Sequence, residues 1–472
     1  MRRPYINRVH RGRPDAFVLL ENPVLRASAL PIRLTLIRGL CASTLLLSAC
    51  GKGGDAPATS GKPTAAVVDS TTPAAAGKVS RVARPDSMRA LYVNAWAAGS
   101  RSRMAELIRI ADETEVNAFI VDIKESDTFL TYDSTNIALA KEIGADQRPA
   151  TKWLKALVDT LNAHQIYSVA RIVVFKDRML AEKKPELAIR HTNGGLWRDK
   201  KGGAWVNPYD KRVWDYNVAI AKEALDMGFS ELQWDYVRFP DVTNTMRATM
   251  VYPGSGAKTR SDNIRDFILY SKAQLTAYQV PVTADVFGLV THAEGDVEIG
   301  QNWEAVIAAA DAVLPMVYPS HYSTGHYGFV KPGAVPYQLI RVSLTDAVQR
   351  TNFLRDSAKI AVGEIRPWLE AMSIRGLSYG PPEVRAQIQA TYDAGLKSWA
   401  LWNPGSKYAE FEGALRPAAG GKSAVERSGW TAPNWTPAPG LLSKVITQRV
   451  ARAAAAAAPK PDSAAVVAKP GV

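Results

Sequence analysis

Trp234-Asp235-Tyr236-Val237-Arg238-Phe239-Pro240 closes an apolar run that begins at Phe229. The run has the length and composition of a buried strand. Pro240, with no N–H to give a sheet ladder, ends it. An acid, an arginine and several rings therefore stand where a strand gives way to a loop. In a parallel α/β barrel that end of the strand is where ligands bind and reactions run. A carboxylate set among aromatic rings is also what a sugar-cleaving site needs. The acid works on the glycosidic bond, and the rings stack on sugar faces.

Working outward, short apolar runs alternate with helical patterns from residue 89 to 406. The runs are Arg89–Ala97, Asn117–Lys124, Tyr167–Phe175, Glu231–Phe239, Val280–Phe287, Ala312–Pro319, Lys359–Ile365 and Ser398–Trp402. Helix-like stretches between them include Arg101–Thr114, Thr151–Ala163, Lys211–Met227, Ser261–Tyr278 and Pro382–Ala394. Gly228 and Gly395 fall where a helix C-terminus favours a left-handed residue. Strand–helix alternation repeated eight times predicts an α/β fold, a (β/α)8 TIM barrel. An open doubly wound sheet is the alternative, but no glycine-rich phosphate loop follows any run. Gly254-Ser255-Gly256-Ala257-Lys258-Thr259 lacks a preceding strand and the right spacing.

The ends read differently. Arg33 and Arg38 precede a short apolar stretch of secretory type, Gly39 to Leu47. Leu47-Ser48-Ala49-Cys50 then resembles the lipobox of bacterial lipoproteins, in which the cysteine is lipidated and becomes the first residue. Gly51, where an aspartate would imply inner-membrane retention, implies outer-membrane sorting. The expected organisation is a signal peptide over 1–49 (with an over-long leader), a lipidated Cys50 and flexible linker over 50–87, a barrel domain over 88–420, and an extended arm with an Ala/Pro-rich tail over 421–472. The apolar run is too short for a permanent span. The expected location is the bacterial cell envelope, lipid-anchored at the outer membrane.

The formal charge of +13 sits in these ends. Residues 89–420 carry 38 basic and 38 acidic residues. A nucleic-acid binder concentrates base on the fold itself, so that class is set aside. The two cysteines, Cys41 and Cys50, both precede the barrel. The barrel segment therefore contains no disulfide framework, thiolate cluster or catalytic thiol. The six histidines are scattered without a His-x-His or His-x-x-x-His pair, so no metal and no cofactor are expected. Gly376-Leu377-Ser378-Tyr379-Gly380 fits G-x-S-x-G, but Pro381-Pro382 follows and no histidine lies downstream, which excludes a serine-hydrolase elbow.

Side chains alternate across a strand with period two. In the fourth run Leu232, Trp234 and Tyr236 share the bulky face, which leaves Asp235 pointing into the barrel mouth. In the fifth, Val282, Ala284 and Val286 form the apolar face, so Asp285 also points inward. Asp122 sits late in the second run. Glu364 and Arg366 share a face just before Pro367-Trp368. Glycoside hydrolysis generally uses two carboxyl groups, one protonated and one ionised, and the candidates are Asp235, Asp285 and Glu364. Asp122, Tyr236, Arg238, Tyr318, His321, Trp368 and Trp402 are the expected substrate contacts. A bland reading stands beside this one: Asp235 and Arg238 as a rim salt bridge, the rings as core.

The chain resembles a bacterial family of glycoside hydrolases that has carried a domain-of-unknown-function label. The likeness rests on Val121-Asp122-Ile123-Lys124, on Trp234 to Pro240, on Asp285-Val286-Phe287-Gly288, on Pro315-Met316-Val317-Tyr318-Pro319-Ser320-His321-Tyr322 and on Arg366-Pro367-Trp368-Leu369. It covers about residues 88–406. The resemblance implies a barrel related to alpha-amylase-like and alpha-galactosidase-like hydrolases, whose fourth-strand aspartate is the usual nucleophile; that role maps onto Asp235. The amylase-like general acid on the fifth strand maps onto Asp285, here an aspartate in place of their glutamate. The expected substrate is an envelope or extracellular polysaccharide or an oligosaccharide. The competing expectation is a non-catalytic carbohydrate-binding barrel.

Overall fold

The computed structural model describes residues 80–126, 129–446 and 448–449. The leader, Cys50, most of the linker and the tail from 450 onward lie outside the described residues. Eight parallel staves close on themselves. They are β1 (Arg89–Val93), β2 (Ala118–Lys124), β3 (Tyr167–Val173), β4 (Glu231–Asp235), β5 (Val282–Phe287), β6 (Ala312–Met316), β7 in two pieces (Glu364–Ile365 and Trp368–Glu370) and β8 (Trp399–Trp402). Consecutive staves pair in parallel, and β8 returns to β1 through Arg89↔Trp399 and Leu91↔Leu401. Trp368 bridges both neighbours, facing Met316 on β6 and Ala400 on β8. This is the (β/α)8 TIM barrel that the alternation predicts.

Helices form where caps and apolar spacing coincide. Ser100 accepts from the Arg103 N–H and starts Arg101–Glu113, whose Met104, Leu107, Ile108 and Ala111 are buried at i, i+3, i+4 and i+7. Asp210 caps Lys211–Asp226, and Thr259 caps Arg260–Leu275. Gly228 and Gly395 close their helices at φ 105° and 86°, a region where an added Cβ costs about 1–2 kcal/mol.

The core is in two layers. Outward-facing strand residues such as Phe119, Val121, Leu232, Trp234, Val286 and Leu401 pack under the helices. The interior holds Ala90, Tyr92, Ile120, Val169, Leu314, Trp368 and Ala400. Burying each large side chain contributes roughly 1.5–3 kcal/mol. Near the N-terminal end an ion pair fills the lumen: Arg366 meets Glu231 at 2.7 Å, and the Tyr167 hydroxyl donates to Glu231 at 3.0 Å.

The seventh run departs from the reading of the sequence. Lys359 takes a left-handed φ of 56°, and residues 359–363 are not strand. The stave begins at Glu364 and breaks at Arg366-Pro367, where proline has no N–H to continue the ladder. Beyond the barrel, Ser423 caps Ala424–Arg427, and Trp430 and Trp435 are partly buried against the core. Further along, the Ser443 N–H donates to Asp346 at 2.7 Å.

Candidate active site

Asp235 is the last residue of β4, and its backbone neighbours Asp285 in the register Trp234↔Ala284. The sheet alternation turns both side chains away from the layer that holds Leu232, Trp234 and Val286 and into the mouth. β3 sends in Arg171 from the other side. Its guanidinium pairs with Asp122 and with Asp235, and its Nε lies 3.8 Å from Asp285. Arg171 therefore sits among three acids.

The three acids are held differently. Asp122 accepts from the Tyr92 hydroxyl at 2.5 Å. Asp235 accepts the Tyr236 backbone N–H at 2.5 Å, in a turn that Tyr236 makes with φ 47°. Asp285 is 1% exposed. It receives the Gln233 amide at 2.7 and 2.9 Å and the Trp368 indole N–H at 2.7 Å. Burial, then the neighbouring Asp235 charge, push the Asp285 carboxyl well above the usual range. Crowding of acids around one guanidinium opposes full ionisation, and Asp285 is the carboxyl whose protonated form the surroundings favour. An ion-paired carboxylate beside a protonated one is the division of labour that acid–base pairs use.

Two further acids rim the mouth. Glu370 ends β7 opposite Trp402 and is fully buried. Burial raises it to about 7, against the Ser320 hydroxyl and N–H, which donate to it at 2.5 and 3.1 Å. Glu125 follows β2, and burial and Asp122 raise it to about 8. Ser320 also meets His321 Nδ1 at 2.9 Å, and burial lowers His321 to about 4, so it is neutral near pH 7.

The rings expected to touch substrate form walls more than platforms. Trp368 and Tyr318 are buried. Tyr318 stacks on the half-buried Trp402 at 4.8 Å and 24°. Tyr236 leaves the alternation at its turn and lies beside Trp205 at 5.9 Å. Arg238 is buried among Trp205, Tyr236 and Phe287, 4.5 to 5.2 Å from their centroids, and donates to the Phe239 carbonyl at 3.0 Å. Arg238 thus braces the loop after β4, while the ion pair of Asp235 is made by Arg171.

Glu364 requires correction as a mouth acid. It faces Ala312, the first residue of β6, and so lies at the N-terminal end of the barrel. There it binds Ser398 at 2.5 Å, Arg84 at 2.6 Å and Arg366 at 2.8 Å. Burial opposes its ionisation, but these partners prevail and lower it below the usual value. The seventh-stave acid at the mouth is Glu370, six residues on. The sequence carried its signal: Trp368 and Glu370 alternate onto one face, just past the motif that ends at Leu369. Arg171 was equally legible as the charge on the inward face of Tyr167-Ser168-Val169-Ala170-Arg171. Among the described residues no group of three or more His, Cys, Asp or Glu is arranged to hold a metal ion.

A closed parallel barrel with two neighbouring carboxyl groups and ring-lined walls at its C-terminal mouth holds the parts that glycoside hydrolysis uses. The chain belongs to the family described as "Putative glycosyl hydrolase domain", which matches residues 90–408. A hypothetical protein from Ruminiclostridium thermocellum ATCC 27405 is 38% identical over 42% of this chain and 97% of that one, with a TM-score of 0.38. The PgaB (BpsB) glycoside hydrolase domain from Bordetella bronchiseptica shares the fold at TM-score 0.50 and 12% identity, over 68% of this chain and 95% of that one. The alpha-galactosidase TtGalA from Thermus thermophilus is similar at TM-score 0.41 and 15% identity, over 69% and 60%. Comparison with curated proteins gave no match.

Proposed function

We propose that the protein hydrolyses glycosidic bonds of an envelope or extracellular polysaccharide, with Asp235 as nucleophile and Asp285 as acid and base. The observation that carries this reading is the pair itself: two carboxyl groups on adjacent staves, one ion-paired to Arg171, the other buried beside it and pushed above the usual carboxyl range. Asp285 gives its proton to the glycosidic oxygen as Asp235 bonds to the anomeric carbon and the leaving sugar departs. Asp285, now ionised, takes a proton from water, whose oxygen displaces Asp235 and restores both groups. Arg171 holds Asp235 in line. Asp235→Asn keeps shape and removes the nucleophile, so turnover on a panel of polysaccharides falls by about three orders of magnitude or more, with the far-ultraviolet spectrum unchanged. Full turnover in that variant contradicts the assignment.

One observation favours a second reading. Asp235 is tied to Arg171, and the same network would brace a barrel that binds glycan without cutting it. Binding without cleavage, the same in wild type and Asp235→Asn, would select that reading. The lipobox-like Leu47-Ser48-Ala49-Cys50 supports anchoring through a lipid at Cys50, with the barrel displayed from the outer membrane.

A further inference from the structure

Trp96 is 75% exposed, the most exposed of the large hydrophobic side chains among the described residues. It stands directly after β1, in the short helix Ala95–Gly99. The backbone beneath it is fastened on every side. The Asn94 side chain accepts the Ala97 N–H at 2.8 Å and donates to the Pro404 carbonyl at 2.8 Å. The Asn94 N–H reaches the Ser406 hydroxyl at 2.9 Å, and Thr151 donates to the Ala95 carbonyl at 2.9 Å. Gly99 packs so closely that a Cβ there would lie 2.1 Å from the Ala150 carbonyl oxygen. Ala95, Ala97 and Ala98 are buried, so the turn presents its indole alone.

The fasteners also locate the ring. Pro404 and Ser406 follow β8, and Glu125 follows β2, 3.4 Å from the Ala95 N–H. All three lie on the C-terminal loops that surround the mouth. From Glu125 the contacts run inward through Asp122 to Arg171 and Asp235. A bare indole on an already ordered turn beside the mouth offers a flat apolar face without the cost of ordering its backbone, which suits the C–H face of a pyranose.

We infer that Trp96 is the stacking platform of an outer subsite, which holds a sugar unit of the polysaccharide chain beyond the unit bound at Asp235. The inference rests on the proposed function and gives the site a preference for longer oligosaccharides. It is tested with the full chain on immobilised chitohexaose, maltohexaose, cellohexaose and a hexamer of 1,6-linked N-acetylglucosamine, together with the matching dimers. Wild type and Asp235→Asn retain at least one hexamer. Trp96→Ala binds that hexamer about tenfold more weakly. Trp96→Phe stays within about threefold, and the matching dimer binds equally to all forms. Equal hexamer binding by Trp96→Ala and wild type overturns the inference, as does failure of wild type to retain any hexamer. The two proposals separate cleanly. Hexamer binding that depends on Trp96 without any turnover sinks the hydrolase reading alone. Turnover lost in Asp235→Asn with Trp96→Ala unaffected sinks the subsite alone.

Discussion

Arg171 decides what its neighbours are. Asp122 and Asp235 pair with it, and Asp285 lies 3.8 Å from its Nε, but burial and then the Asp235 charge outweigh that contact and push the Asp285 carboxyl well above the usual range. Burial raises Glu370 as well. Its folded value of about 7 lies above the ordinary 4.5 of an unfolded glutamate. The native state therefore binds more protons than the unfolded state between those values, and stability falls as pH rises through the window. Glu370→Gln removes this loss. Thermal unfolding from pH 4.5 to 8 is predicted to show wild type losing ground to Glu370→Gln as pH rises, with the gap level above about pH 8; a gap independent of pH would contradict it. At this scale Asp122, Asp235 and Asp285 were legible, because each interrupts an apolar strand on its inward face. Glu364 misled, because two-residue alternation gives a face but not a depth along the stave. The assumed strand ended at Ile365, which made a bottom residue look like a rim residue.

At the scale of elements, the pattern located seven of the eight staves, because each is buried on both sides and so reads as a continuous apolar run. Lys359–Gly363 was the exception: an apolar-looking stretch whose Lys359 adopts φ 56°, a turn that composition does not disclose. Tyr236 is a parallel case, since its left-handed φ ends the alternation that had placed its ring on the outer face. The glycine stops were legible for a physical reason and can be tested. Gly395 has nothing within 4 Å of where a Cβ would go, so only its φ of 86° opposes a side chain. Gly395→Ala is predicted to cost about 1–2 kcal/mol, measured by urea unfolding. A neutral effect would show that the helix Pro381–Asp393 can end without the left-handed turn.

The whole molecule joins a charge-balanced barrel to basic ends. If Cys50 carries lipid, each buried CH2 of its chains contributes about 0.8 kcal/mol to holding the protein in the membrane, and Cys50→Ala is predicted to move it from the membrane fraction to the soluble fraction of expressing cells. Retention equal to wild type would remove the anchor. The pair in the mouth sets the stereochemistry of the proposed reaction. Adjacent staves lie about 4.8 Å apart, and carboxyl groups reaching toward one another across such a gap match the roughly 5–5.5 Å spacing of enzymes that retain anomeric configuration, which is the outcome expected of an Asp235–Asp285 pair. An acid acting from Glu370 across the mouth would leave room for water and favour inversion. Proton NMR of the first-formed anomer during hydrolysis decides between them: the account predicts retention, and a product of inverted configuration would contradict it.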